Sequence, residues 1–201
     1  MPKDTESQIL DAAKKIFVQK GFAGARMQEI ADEANINKAM LHYYFRNKES
    51  LFERILENAI DAVFPKLVES LMTEGTVIQK LERLVNSYID VILENSYLPM
   101  FLLHEISQNR MGMIDKMKSK MEQHHVLAQF SKQVLEEQAR GILKPIMPQH
   151  ILLTVMSLII FPFMAKPVFL KMLDIPKPLF NQMMEERKEV VINFLKAGLL
   201  V

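Results

Sequence analysis

Cysteine is absent from the 201 residues. Disulfides and thiolate metal sites are therefore excluded, and a reducing compartment, the cytoplasm, is the expected setting. Glycine and proline are sparse, at 6 and 9 residues, against a 49% hydrophobic content. That balance excludes both a disordered tail and a loop-rich all-β protein. No alternating strand pattern, internal repeat or low-complexity segment is found. An excess of one charge is also missing: the net charge is +1, with 9 basic and 8 acidic residues in 1–54 and 16 of each in 55–201. A globally basic coat for nucleic acid is thus excluded, and any basic surface must be local. A long apolar span is lacking too. The longest run free of charge and histidine, ILLTVMSLIIFPFMA, covers 15 residues from Ile151 to Ala165 and contains Pro162. Crossing a bilayer takes about 20. A buried helix is the expectation, with no membrane partner. The N-terminus MPKDTESQIL lacks the layout of a signal peptide.

What is present reads as helix almost throughout. Thr5-Glu6-Ser7-Gln8 has the form of a capping box. Ile9, Ala13, Ile16 and Phe17 then follow helical spacing until Gly21 stops the helix. A second helix is predicted over Met27–Ala34. Asn35 suits a left-handed turn position, and Asn37 can cap a short third helix over Lys38–Phe45. Asn47 caps a fourth that runs from Lys48 toward Leu71. Beyond Gly75 longer helices are predicted at Thr76–Glu94, from Pro99 to Gln108, and at Met113–Arg140. Two more follow: Gln149–Leu173, bent at Pro162 and Pro167, and Pro178–Ala197.

Helix, three-residue turn and short helix is the helix-turn-helix layout. Ala31 and Ala34 are small where two helices would cross, and Ile36 and Leu41 fill the crossing. On a helical wheel Leu41, Tyr44 and Phe45 share one side and are expected in the core. Ala39 and Tyr43 point the other way, flanked by Met40 and His42. Residues 34–48 include Lys38, Arg46 and Lys48 and no acid. Such a face suits a major groove: a small central residue permits close approach, Met40 meets a thymine methyl, and His42 and Tyr43 reach bases or phosphates.

The stretch from Thr5 to Leu56 resembles the N-terminal DNA-binding domain of the TetR family of bacterial transcriptional regulators. The likeness rests on Ile9, Ala13 and Phe17; Gly21-Phe22; Ile30-Ala31 and Ala34; Leu41, Tyr44 and Phe45; and Lys48-Glu49 with Leu51. It implies that Gln28, Asn37, Lys38, Ala39, Met40, His42, Tyr43 and Lys48 face DNA. The departures are local. Asn35 and Ala39 stand where the family usually has Gly, Asn37 where it has Ser or Thr, and His42 where it prefers Tyr. Ala25-Arg26 replaces a hydroxyl residue that would cap the second helix. Arg26 supplies charge for a phosphate contact there but no cap.

The resemblance further implies that the larger C-terminal part binds a small molecule and forms a homodimer. Met and Phe recur there, and Met is adaptable enough to line a permissive pocket. Phe64, Met100, Phe101, His104, Met117, Met121, His124 and Phe163 are the pocket candidates. Plain core is the competing reading for each. His104, Glu105, His124 and His125 do not form a tight ligand set, so neither metal nor cofactor is expected. The last two helices are expected to pair across a two-fold axis through Ile151, Val155, Leu158, Ile159, Val191, Phe194 and Leu195.

The expectation is an all-α chain. Residues 1–50 form a three-helix DNA-binding domain with a helix-turn-helix. Residues 51–201 form a larger helical ligand-binding and dimerisation domain. The expected function is a dimeric repressor, not an enzyme. A small hydrophobic or amphipathic effector, otherwise unknown, releases it from a near-palindromic double-stranded DNA operator. The alternative is an activator or partner-controlled regulator without such a ligand.

Overall fold

The computed structural model describes residues 4–95, 97–108 and 112–201; the side chains of 104–108, 113 and 114 are outside that description. Among the described residues there are eleven helices and no strand, only one isolated bridge between Leu143 and Leu200. The chain divides into two compact units, Met1–Asp61 with Met100–Ile114, and Ala62–Pro99 with Asp115–Val201.

The first unit holds α1 (Thr5–Gly24), α2 (Met27–Glu33), α3 (Lys38–Tyr44) and the beginning of α4 (Lys48–Met72). Ile9, Ala12, Ala13, Ile16 and Phe17 recur at helical spacing and are all buried, so α1 presents one continuous apolar stripe. Its N-cap is Asp4, one residue earlier than the expected capping box. The Ser7 N–H donates to the Asp4 carboxylate at 2.7 Å. Gly21, at φ 66°, breaks the regular helix where a side chain with a Cβ would be strained. Phe22 then turns back. The rings of Phe17, Phe22 and Phe52 form a closed aromatic group, with Phe22 and Phe17 each 4.9 Å from Phe52. Phe101 continues it at 5.0 Å from Phe52.

In the second unit α5 (Val77–Glu94) is the central helix. Thr76 and Gln79 form a complete capping box at its start. Leu81, Val85 and Ile89 pack with Phe130 and Val134 of α8 (Val126–Ala139), Val155 and Ile159 of α9 (Pro148–Met164), and Val191 and Leu195 of α11 (Lys177–Leu199). Buried Glu137 adds a polar tie: its carboxylate accepts from the Val77 N–H at 2.9 Å and from Gln133 at 2.8 Å. On the rim, Lys188 of α11 bonds Asp90 of α5 and Glu185. Burial pushes the Lys188 ammonium down, but those two carboxylates outweigh it and hold the group above its ordinary range.

Two long helices predicted from the sequence are each broken. The Met113–Arg140 segment splits into α7 (Met113–Gln123) and α8, because His125 takes a left-handed conformation at φ 49°. The Gln149–Leu173 segment splits at Ala165 into α9 and α10 (Lys166–Met172), bent by 59°. Pro162 sits inside α9, while Pro167 falls in the first turn of α10, where its missing N–H costs nothing. The remaining helix is α6 (Leu98–Gln108). No single helix among the described residues is long and apolar enough to cross a membrane.

Candidate nucleic-acid interface

Three local features set the angle and exposure of α3. Asn35 takes φ 54°, the left-handed position a tight turn requires. The turn closes with the Ile36 N–H on the Ala31 carbonyl at 3.0 Å. Asn37 then caps α3, its side-chain oxygen accepting from the Met40 N–H at 2.7 Å. Leu41, with 0% exposure, and Phe45 bury the inner side of α3, while Ile30, Ala31 and Ala34 are buried around α2.

The outer side carries Lys38, Ala39, Met40, His42 and Tyr43, all exposed. Tyr43 is 85% exposed. Tyr44 departs from the expectation that it is core. It is 40% exposed, and its ring stands edge-on to Tyr43 at 5.5 Å. At a helix boundary the wheel angle no longer fixes direction, since the chain leaves α3 at Phe45 with extended backbone. Tyr44 therefore joins the exposed face, and the sequence signal for it was the ring pair Tyr43-Tyr44 itself.

The polar candidates differ in how free they are. Asn37 is engaged as the cap. Gln28, exposed on α2, donates to Asp32 at 2.7 Å. Lys48 has its ammonium on the Phe22 carbonyl at 2.8 Å and the Ala25 carbonyl at 3.1 Å, and over the Phe22 ring at 4.5 Å. It therefore ties the start of α4 to the end of α1. Arg26 is exposed and occupies the N-cap of α2 without any side-chain cap bond. The acids of α2 are held elsewhere: Glu33 pairs with Lys15 and Glu29 with Lys20, each at 2.9 Å. The Lys20 hydrogen bond keeps the Glu29 carboxyl below its usual range despite some desolvation, and the Arg26 backbone N–H adds to the effect. Negative charge on this side of the unit is thereby partly compensated.

The expected pocket residues divide between the two units. In the second unit Phe64 is buried, with the His124 ring 6.0 Å away and the Lys120 ammonium 5.6 Å over its face. Met121 packs on the core, and Met117 is half-buried. Phe163 packs edge-on against Phe180 at 6.1 Å, as core. Phe101 packs on Phe52 in the first unit, and Met100 is largely exposed. The side chain of His104 lies outside the described residues. Among the described residues, no three His, Cys, Asp or Glu come together as a metal-binding group.

The expected dimer residues need a correction. Ile151, Val155, Ile159, Val191 and Leu195 are buried in the core of their own unit, so they cannot form an outer contact. Leu158 is half-buried and Phe194 is 70% exposed. The apolar side chains that α9 and α11 do present outward are Leu153, Phe161, Val190 and Phe194. Beside them runs a groove of about 550 Å³ lined by Leu153, Met156, Ser157, Leu158, Ile160, Phe161, Met164 and Arg187. The Arg187 Nε donates to the Leu158 carbonyl at 3.1 Å, and burial pulls the guanidinium below its ordinary range. A helix that is apolar all round gives no periodicity from which to choose its inner side, which is why the sequence did not separate the buried row from the outward one.

The sequence comparisons agree with the geometry of the head. A family model described as bacterial regulatory proteins, TetR family, matches residues 9–55. The HTH-type transcriptional activator FasR of Mycolicibacterium smegmatis is 32% identical over 97 residues, 48% of this chain and 44% of that protein. The probable HTH-type transcriptional regulator YttP of Bacillus subtilis is 24% identical over 167 residues, 82% of this chain and 79% of that one. The chain therefore matches less than half the length of FasR but most of YttP. The solved structure of the ketosteroid transcriptional regulator KstR2 of Mycobacterium tuberculosis has the same fold, with a TM-score of 0.74 over 96% of each chain at 13% identity. Matched over residues 9–55, the helix-turn-helix head is that of the TetR family of bacterial regulatory proteins, and the fold over the whole length is that of a solved transcriptional regulator.

Proposed function

We propose that the chain is a dimeric repressor whose N-terminal head, residues 1–50, grips an operator, and whose remainder, residues 51–201, pairs two copies and takes a small apolar or amphipathic effector. One observation carries the DNA-binding half: α3 buries Leu41 and Phe45 and turns Met40, His42, Tyr43 and Tyr44 to solvent. Exposed rings and a methionine on a capped, turn-mounted helix are costly in water unless something covers them. A major groove accepts a helix of this size.

Two heads related by a two-fold axis would read half-sites about 34–36 Å apart, or a multiple of that, and so a near-palindromic operator. The outward apolar side chains of α9 and α11 support pairing through that face. Release by an effector follows from linkage: a ligand that fits only a conformation with the wrong head spacing must weaken DNA binding. Phe64, Met117, Met121 and His124 supply apolar and ring surface suited to such a ligand. The reading gives the chain no catalytic role.

The test is binding of the purified protein to DNA from upstream of its own gene at two salt concentrations, beside Tyr43→Ala. Wild-type binding tighter than on random DNA, with a loss of about tenfold or more in the variant, is the expected outcome. Binding no better than on random DNA, on this fragment and on genomic fragments selected without bias, would sink the reading. FasR, which is named an activator, favours a second reading in which the same head recruits rather than blocks. A reporter driven by the bound promoter separates them: expression rises on deleting a repressor and falls on deleting an activator.

A further inference from the structure

The imidazole of His42 is exposed on the outer side of α3, and its Nδ1 lies 3.1 Å from the Arg46 carbonyl oxygen. A carbonyl only accepts, so the proton of the neutral ring sits on Nδ1. Nε2 is then left with a lone pair and no hydrogen. In that state it has nothing to donate to DNA, whose phosphate oxygens, and the O6 and N7 of guanine, are all acceptors. Bringing the bare Nε2 against such an atom sets two lone pairs against each other. A second proton on the ring converts that repulsion into a charge-assisted hydrogen bond while keeping the bond to Arg46.

Resting on the DNA-binding reading above, we propose that the head takes up a proton at His42 when it binds DNA, so that operator affinity rises as pH falls. The partner chemistry is an anionic or lone-pair acceptor on the DNA. Charges on the neighbouring elements do not replace this contact. Lys38 is one turn earlier on α3, and Arg46 follows the end of the helix. On α2, Glu29 is bonded to Lys20, Asp32 to Gln28 and Glu33 to Lys15. At the start of α4, Lys48 is held by the Phe22 and Ala25 carbonyls, and Glu49 is the acid of the first turn.

The experiment uses the full-length protein and a genomic fragment selected by it at pH 6, with affinity measured from pH 5.5 to 8.0 at constant ionic strength. Proton uptake on binding predicts that affinity falls with rising pH, by up to about tenfold per pH unit for each head that takes up one proton. His42→Tyr keeps a donor but does not titrate in this range, so its profile should be flat whatever its affinity at any one pH. Long-range ¹H–¹⁵N spectra of the free protein should show the Nδ1-protonated ring. A pH slope on random DNA as well marks a phosphate partner, and a slope confined to the selected fragment marks a base; both uphold the proposal. Sequence-specific binding with a flat wild-type profile overturns it and leaves the DNA-binding reading intact. An unchanged slope in His42→Tyr, or an Nε2-protonated ring, overturns it as well. Absence of specific binding at every pH removes the DNA-binding reading and this inference together.

Discussion

In the first unit α3 buries a narrow side, Leu41 and Phe45, and leaves a mixed row of rings, Met and cations in water. In the second, α9 is apolar on nearly every side and buries the row Ile151, Val155, Ile159 and Phe163, with Pro148 and Pro162. Both are helices with two faces, but the faces differ in how they are told apart. On α3 the exposed side contains groups that need water or a polar partner, so composition alone separates inside from outside. On α9 both sides are apolar, and only the neighbours α5, α8 and α11 decide which one enters the core. Function is legible where the two faces differ in chemistry. It is hidden where they differ only in what happens to pack against them.

The sharpest test of that contrast is a charge on each face of the α9–α11 region. Val155 has 0% exposure, and an aspartate there is a buried, unpaired carboxylate. Val155→Asp is expected to cost at least about 3 kcal/mol and to abolish the cooperative thermal transition. Phe194→Asp, at a 70% exposed position, should leave the helical content in place. Its expected effect is on association, with sedimentation velocity shifting from dimer to monomer. If Phe194→Asp unfolds the protein while Val155→Asp does not, the division into inner and outer faces is reversed.

The same contrast explains what could be read in advance. The helix-turn-helix was legible because its turn depends on particular residues: Asn35 for the left-handed position, Asn37 and Asn47 for caps, small Ala31 and Ala34 at the crossing. Those requirements are local. Dimer contacts and pocket walls are not, and Phe163 is the example. As an aromatic on an apolar helix it fits a pocket, a core or an interface equally well in sequence, and it is core only because Phe180 of α11 lies against it. The break at His125 was missed for a related reason. Histidine is no helix breaker by propensity, so nothing local marked the left-handed residue that separates α7 from α8.

Within the head a pair of truncations separates packing from recognition. Leu41 is fully buried between α3 and its neighbours, and Leu41→Ala should cost about 2–5 kcal/mol by transfer and cavity. Tyr43→Ala, at the exposed position, should change stability by no more than about 0.5 kcal/mol while weakening DNA binding. Urea denaturation beside a binding isotherm reads both quantities. Equal stability losses in the two variants would mean that Tyr43 is part of the packing and that the outer face has been misread.

The smallest effect expected concerns Arg26, where stability and binding pull in opposite directions. The helix α2 has no side-chain cap. The Arg26 side chain, at the N-cap position, returns nothing to the helix. A serine at position 26 can supply a cap by accepting the Glu29 N–H, and such caps are worth about 1 kcal/mol. Arg26→Ser should therefore raise the unfolding free energy by about that amount. It also deletes an exposed cation at the N-terminus of α2, so if Arg26 contacts a phosphate the salt slope of DNA binding should fall by about one counterion. A variant that is more stable but binds DNA less tightly, with a shallower salt dependence, would show that Arg26 stands in place of a helix cap for the sake of a phosphate contact. A variant that is more stable with unchanged salt dependence would remove Arg26 from the interface and leave the uncapped helix without a functional reason.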